Sequence, residues 1–211
     1  MSIVTCDMAV SVDGYTAGTD QRMDAPFGDG AEGLTTWMLD EPQAHAAEIG
    51  AITAAGAFVM GRNMFGPGRG GWDLGWTGWW GAEPPYHAPV FVLTHHARED
   101  LPMEGGTTFH FVTGGVDEAV ARAREAAGDR DVAIAGGAAT VNQCLAAGVV
   151  DELRLHVAPV LLGRGERLFE GVPRTGLVPV SVRQTPLVTH LTYAVARAQP
   201  SSRSGDDARA Q

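Results

Sequence analysis

Short apolar runs bounded by glycine alternate along the chain with stretches of helical character. Ile3 to Val12 predicts a first strand that ends at Asp13-Gly14, where glycine suits a turn with positive φ. Gly18 to Gly33 is a polar, glycine-rich loop. Helical stretches follow at Leu34 to Leu39 and, beyond Pro42, at Ala44 to Ala55. Ala57 to Met60 lies between Gly56 and Gly61, as a buried strand does, and a short helix is expected after Gly61. Val90 to Thr94 and Thr107 to Thr113 predict further strands. Val116 to Ala127 predicts an amphipathic helix with Asp117 and Glu118 in its first turn. Asp131 to Ala135 reads as a strand, Gly136-Gly137 as a turn, and Ala138 to Ala147 as a helix stopped by Gly148. Asp151 to Pro159, Val178 to Arg183 and Leu187 to Ala196 then read as strands with no helix between them. An α/β beginning that runs into a β-rich end predicts a mostly parallel sheet with antiparallel strands at one edge.

Two segments break the alternation. Pro67 to Pro89 carries Trp72, Trp76, Trp79 and Trp80 among glycines and prolines without any period, and reads as a long loop. Its tryptophans either pin the loop to the core or line a ligand pocket. Gln199 to Gln211, rich in Ser, Arg, Asp and Ala, is expected to be a disordered tail after a single domain spanning residues 1–198.

Composition narrows the function. The 211 residues suffice for one sizeable core, and no apolar run approaches the ~20 residues of a membrane span. The strand-like start without a basic, then apolar, leader points to a soluble cytoplasmic protein. A net charge of -10 argues against nucleic acid and leaves a small molecule as the expected partner. All cationic side chains are arginines, which excludes a Schiff-base lysine, a pyridoxal phosphate anchor and a P-loop lysine. Cys6 and Cys144 are expected to be buried thiols rather than a disulfide.

Candidate chemistry gathers at strand ends. Gly136-Gly137, followed by Ala138-Ala139-Thr140, lets a phosphate approach the backbone and the helix N–H groups, although a Gly-Gly turn is also a common purely structural device. Gly61-Arg62-Asn63-Met64 repeats the strand-to-helix setting with an arginine suited to phosphate. Thr94 and His95 stand at the end of another strand. No metal is expected at His95-His96, because adjacent strand positions point to opposite faces and no Glu or Cys completes the ligand set. His45, His87, His110, His156 and His190 are scattered, with surface or hydrogen-bonded core roles as their default. No Gly-x-Ser-x-Gly elbow supports a hydrolase.

The ordered set Ala9-Val10-Ser11-Val12-Asp13-Gly14, Val59-Met60-Gly61-Arg62, Val90-Phe91-Val92-Leu93-Thr94, Ala135-Gly136-Gly137-Ala138, Val150-Asp151-Glu152-Leu153 and Pro159-Val160-Leu161-Leu162-Gly163 resembles the dihydrofolate reductase-like superfamily. Within it the chain is most similar to the reductase domain of bacterial riboflavin biosynthesis. The resemblance covers roughly residues 1–198 and implies a three-layer α/β fold with a central mixed, mostly parallel sheet and an antiparallel C-terminal edge. It further implies NADPH as cofactor, a reductase activity and a homodimer, for which Leu153 to Val157 is a candidate pairing strand. Carried over by position, Gly61, Arg62, Asn63 and Met64 hold the pyrophosphate and adenosine side. Thr94 and His95 face the adenosine 2'-phosphate, and Gly136, Gly137, Ala138, Ala139 and Thr140 cover the pyrophosphate. The backbone of Ala9 and Ala17 flanks the nicotinamide.

Two departures bear on the substrate. Taking Trp37 as the helix aromatic puts Leu34 where dihydrofolate reductases carry an acid, with Glu32 and Asp40 nearby, and Tyr15 replaces the lysine usual in the riboflavin branch. The expected reaction is hydride transfer to a C=N or C=O bond of a small, heterocyclic metabolite that is neither of the superfamily's best-known substrates. Asp13 is the candidate acid or substrate anchor, against its alternative as a turn-forming residue, and solvent is a further proton source. Trp37, Trp80 and Tyr86 are the candidate substrate wall. A non-catalytic dinucleotide- or flavin-binding module of the same fold is the alternative function.

Overall fold

The computed structural model describes residues 2–68 and 70–196, so the expected tail at 199–211 lies outside the described residues. Strand β1 (Val4–Ser11) turns at Gly14, whose φ of 90° suits glycine, into the short β2 (Tyr15–Ala17). Beyond the glycine-rich loop come α1 (Thr36–Asp40) and α2 (Ala46–Thr53). β3 (Ala57–Gly61), apolar and buried from Ala57 to Met60, runs directly into α3 (Arg62–Phe65). After the tryptophan loop lie β4 (Pro89–Leu93), β5 (Leu101–Pro102) and β6 (Thr108–Val112). α4 (Gly115–Ala127) buries Ala119, Val120, Ala123 and Ala127, the stripe its 3.6-residue period dictates, and stops at Gly128 with φ 61°. β7 (Val132–Gly136), α5 (Ala138–Ala146), β8 (Glu152–Ala158), β9 (Glu166–Arg167), β10 (Leu177–Gln184) and β11 (Thr189–Val195) complete the chain.

Nine strands form one sheet in the order β10-β11-β8-β1-β7-β3-β4-β6-β5, and β2 pairs with β9 apart from it. The run from β8 to β6 is parallel, while β5 at one edge and β11 with β10 at the other are antiparallel. Alternation along the strands divides the residues between two faces. Val4, Cys6, Met8 and Val10 of β1 join Val59, Ile134 and the buried stripe of α4 on one face. On the other, Phe58, Met60, Val90, Val92 and Phe109 form a second cluster under the tryptophan loop. Ala31, Leu34 and Ala158 make a third, smaller one with Ala9.

The predicted mixed sheet with its antiparallel C-terminal edge is present. Leu153 to Val157 is not available to a second subunit, because β8 is paired with β1 on one side and β11 on the other. The open edge on that side of the sheet is β10 instead.

Candidate functional site

Three neighbouring parallel strands, β7, β3 and β4, end side by side on Gly136, Gly61 and Leu93-Thr94. With strands about 4.8 Å apart, these ends span roughly 10 Å of one sheet edge. Met60 is the register partner of Gly136, and a Cβ added to Gly61 would collide with Thr140 Oγ1. Two turns distant in sequence therefore meet at a surface that only glycine leaves open. Gly136 has φ 102° and its peptide to Gly137 is cis, after which α5 begins at Ala138. Thr94 is buried and its Oγ1 accepts from the His96 N–H at 3.1 Å, while His95 is exposed.

Ala138 and Ala139 open onto a cleft of about 390 Å³ that is also lined by Asn142, Gly165, Glu166 and Arg167. A second cleft of about 420 Å³ shares Gly165 and Glu166 and continues past Gly18, Thr19, Asp20 and Pro67. Arg167 thus presents a guanidinium near the start of α5, its Nη1 3.3 Å from Tyr15 Oη. No motif marked this residue, because β9 is two residues long and has no period to read. The Arg62 guanidinium lies 4.0 Å over the Trp72 ring and donates to the carbonyl oxygens of Gly70 and Gly71. It braces the tryptophan loop at the sheet edge. Asn63 is exposed and Met64 half-buried in α3.

Asp13 is a fastening carboxylate. Its Oδ1 accepts from Ser11 Oγ at 2.6 Å and from the Leu162 N–H at 3.1 Å, and its Oδ2 accepts from the Gly163 N–H at 2.7 Å. The Ser11 hydrogen bond above all, with the two amides, holds its pKa down to about 2. Such a group stays ionised at neutral pH and does not fit the expected acid. Leu34 is buried against Ala31 and Ala158, while Glu32 and Asp40 are exposed. Ala17, on β2, is buried, and Ala9 packs against the Leu34 cluster.

The three aromatic candidates do not form one wall. Trp37 is 0% exposed and its ring packs against His45, His156 and His190. Trp80 and Tyr86 belong to the other cluster, where Trp80 stacks on Phe109 at 5.9 Å and meets Tyr86 edge-on. Burial pushes the Tyr86 hydroxyl pKa up. The tryptophan loop is pinned by this packing and by the indole N–H of Trp76, which donates to the Phe65 carbonyl at 2.9 Å. Cys6 and Cys144 are free and buried, and burial raises the Cys144 pKa to about 12, so neither is a ready nucleophile.

A mostly parallel sheet with antiparallel edges, whose central strands end on paired glycine turns, is the dihydrofolate reductase-like architecture. The dihydrofolate reductase of Enterococcus faecalis, solved with NADP(H), superimposes with a TM-score of 0.50 at 19% identity, over 92% of this chain and 96% of that one. A protein from Shewanella sp. PV-4 assigned to riboflavin biosynthesis gives a TM-score of 0.65 at 24% identity, covering 92% of this chain and 99% of its own. In sequence, the uncharacterized protein YyaP of Bacillus subtilis (strain 168) is 24% identical over 191 residues, or 85% of this chain and 87% of that one. The RibD C-terminal domain family matches residues 2–191, and the chain belongs to that family. Among the described residues, no helix is long and apolar enough to cross a membrane.

Proposed function

We propose that the protein is an NADPH-dependent oxidoreductase, a cytoplasmic homodimer that transfers hydride to a C=N or C=O bond of a small heterocyclic metabolite. The observation that carries this reading is the meeting of Gly61 with Gly136 and Thr140 beside Thr94, at the carboxyl ends of adjacent parallel strands. That is where open α/β sheets bind nucleotides. Membership of the RibD family and the NADP(H) held by the E. faecalis relative support the choice of cofactor. The dinucleotide lies along Gly61 to Met64, Thr94-His95 and Gly136 to Thr140, with the backbone of Ala9 and Ala17 at its nicotinamide. Its hydride is the chemistry the cofactor supplies, while the chain orients both partners and excludes water.

The exposed Val12 and Leu161, next in sequence to Asp13 and to its partner Leu162, would offer an apolar rim on the substrate side. With Asp13 held ionised and Leu34 apolar, neither of these two positions supplies a neutral carboxylic acid, and water delivers the proton. The substrate also differs from those met by an acid at position 34 or a lysine at position 15.

Fluorescence titration of the full chain with NADPH and NADH tests the cofactor assignment. Saturable NADPH binding is expected, and absence of binding to both nucleotides overturns it. Arg62→Ala is expected to weaken NADPH more than NADH, by roughly tenfold for one lost charge-assisted contact. Equal loss would remove Arg62 from the 2'-phosphate and leave it to the pyrophosphate or the loop.

A further inference from the structure

On the sheet face away from α4 and α5, three histidines far apart in sequence form one buried chain. His45 precedes α2, His156 lies on β8 and His190 on β11. His45 Nδ1 stands 2.9 Å from His190 Nε2, and His190 Nδ1 stands 2.8 Å from His156 Nδ1. Glu48, in the first turn of α2, brings Oε1 to 4.0 Å from His190 Nε2. Arg183 of β10 holds both Glu48 oxygens, at 2.7 and 3.0 Å, and its Nη2 also reaches His45 Nδ1 at 3.0 Å.

The hydrogens and lone pairs of this arrangement do not match. A guanidinium only donates, so His45 Nδ1 is an acceptor. His190 Nε2 must then donate to that same lone pair, which leaves Nδ1 of a neutral His190 to accept from His156 Nδ1–H. The remaining lone pair, on His156 Nε2, faces the buried Asp7 Oδ1 at 3.6 Å. One lone pair receives two donors while another confronts a carboxylate. His45 Nε2, His156 Nε2 and Asp7 Oδ1 are all buried without a hydrogen-bond partner.

A cation between His45 Nδ1, His190 Nε2 and Glu48 reverses the chain and removes the conflict. Both ligating nitrogens offer lone pairs to the ion. His190 Nδ1–H then donates to His156 Nδ1, and His156 Nε2–H points at Asp7. His45 Nε2–H points at Glu41, 4.0 Å away. Each orphaned nitrogen thereby faces a carboxylate, the outer-shell arrangement that orients metal-binding imidazoles. The three ligand atoms already lie within 4.8 Å of one another. Tetrahedral ligands about 2.1 Å from an ion stand about 3.4 Å apart, so the His45–His190 and His190–Glu48 separations each change by roughly half an ångström and the His45–Glu48 pair, within 4.8 Å, closes by up to about 1.4 Å.

We propose that His45, Glu48 and His190 form a site for a divalent transition-metal ion such as Zn²⁺, with Arg183 as the resident cation that the metal displaces. Two imidazoles and one carboxylate suit zinc and its neighbours better than Mg²⁺ or Ca²⁺, which take oxygen ligands. Arg183 is 43% exposed in its side chain and lies on a strand whose residues are all exposed, so it can swing away. The ion would tie α2, none of whose residues is fully buried, to the antiparallel edge of the sheet. This site is independent of the hydride-transfer reading.

Full-length protein treated with chelator and titrated with Co²⁺ provides the test. One equivalent should bind with the intense visible absorption of tetrahedral cobalt, and Zn²⁺ should displace it. Arg183→Met should tighten Co²⁺ by about tenfold by removing the competing guanidinium. Glu48→Gln should weaken it by roughly 100-fold and Asp7→Asn by about tenfold. Arg183 is 43% and Glu48 19% exposed in their side chains, and circular dichroism verifies that their variants fold. Absence of stoichiometric Co²⁺ and Zn²⁺ binding to both wild type and Arg183→Met overturns the proposal. So does binding unchanged by Glu48→Gln, which would place the ion on the acidic surface.

Discussion

At the end of β1, Asp13 accepts hydrogen bonds from the Ser11 hydroxyl and from the Leu162 and Gly163 amides. The sequence offers a turn former or an acid. Its hydrogen bonds, one local from Ser11 and two that fasten the segment at Leu162-Gly163 to the end of β1, favour the first. A carboxyl whose pKa is lowered from 3.8 to about 2 on folding stabilises the native state above pH 4, and that contribution is lost as pH falls towards 2. Asp13→Asn should therefore lower the urea midpoint by a constant amount above pH 5, and the gap to wild type should narrow between pH 4 and 2. The same variant should retain NADPH-dependent hydride transfer at more than about a tenth of the wild-type rate, since general acid catalysis is worth about 10²–10⁴-fold. A loss of that larger size would restore Asp13 as the acid. A parallel urea series across pH separates the fastening role from any catalytic one.

At the level of elements, the apolar runs closed by glycine were legible because period and punctuation agree: β3 and β7 are buried strands that feed straight into helices. β5 and β9 were not legible, being two residues long. The meeting of Gly61 with Thr140 follows from β3 and β7 lying side by side, a pairing no local pattern encodes. The histidine chain was hidden for the same reason, since its members are 145 and 34 positions apart. The contact between the two turns has a measurable signature. Gly61→Ala forces its new methyl against Thr140 Oγ1 and should destabilise by about 1–3 kcal/mol through overpacking. Thr140→Ala removes the opposing hydroxyl, so the double variant should recover part of that loss, with a coupling of about 0.5–3 kcal/mol in thermal or urea unfolding. Strict additivity would mean that the turns do not press on one another. NADPH affinity should fall in Gly61→Ala even in the Thr140→Ala background, because the added methyl occupies the edge along which the dinucleotide is proposed to lie.

For the whole molecule the unresolved balance is at the antiparallel edge. The sequence marks β10 as an apolar strand, and apolar strands are ordinarily covered, yet all eight of its residues are exposed, with Val178, Val180 and Val182 at 56%, 59% and 68%. Pro179 lacks an N–H, and the register shifts between Pro179 and Ser181, so this edge is poorly suited to extending the ladder by another strand. A homodimer joined here would therefore pack side chains across the strand rather than add hydrogen bonds along it, and its strength would come from apolar area. Replacing Val182 with Glu places a charge in that area without touching a residue of the buried core. Sedimentation velocity should then show dissociation to monomers at concentrations where wild type is dimeric, while NADPH binding at the distant β7-β3-β4 edge persists. If Val182→Glu leaves the sedimentation coefficient unchanged, the subunits meet elsewhere. If wild type itself sediments as a monomer, the exposed valines of β10 face solvent and the homodimer is refuted.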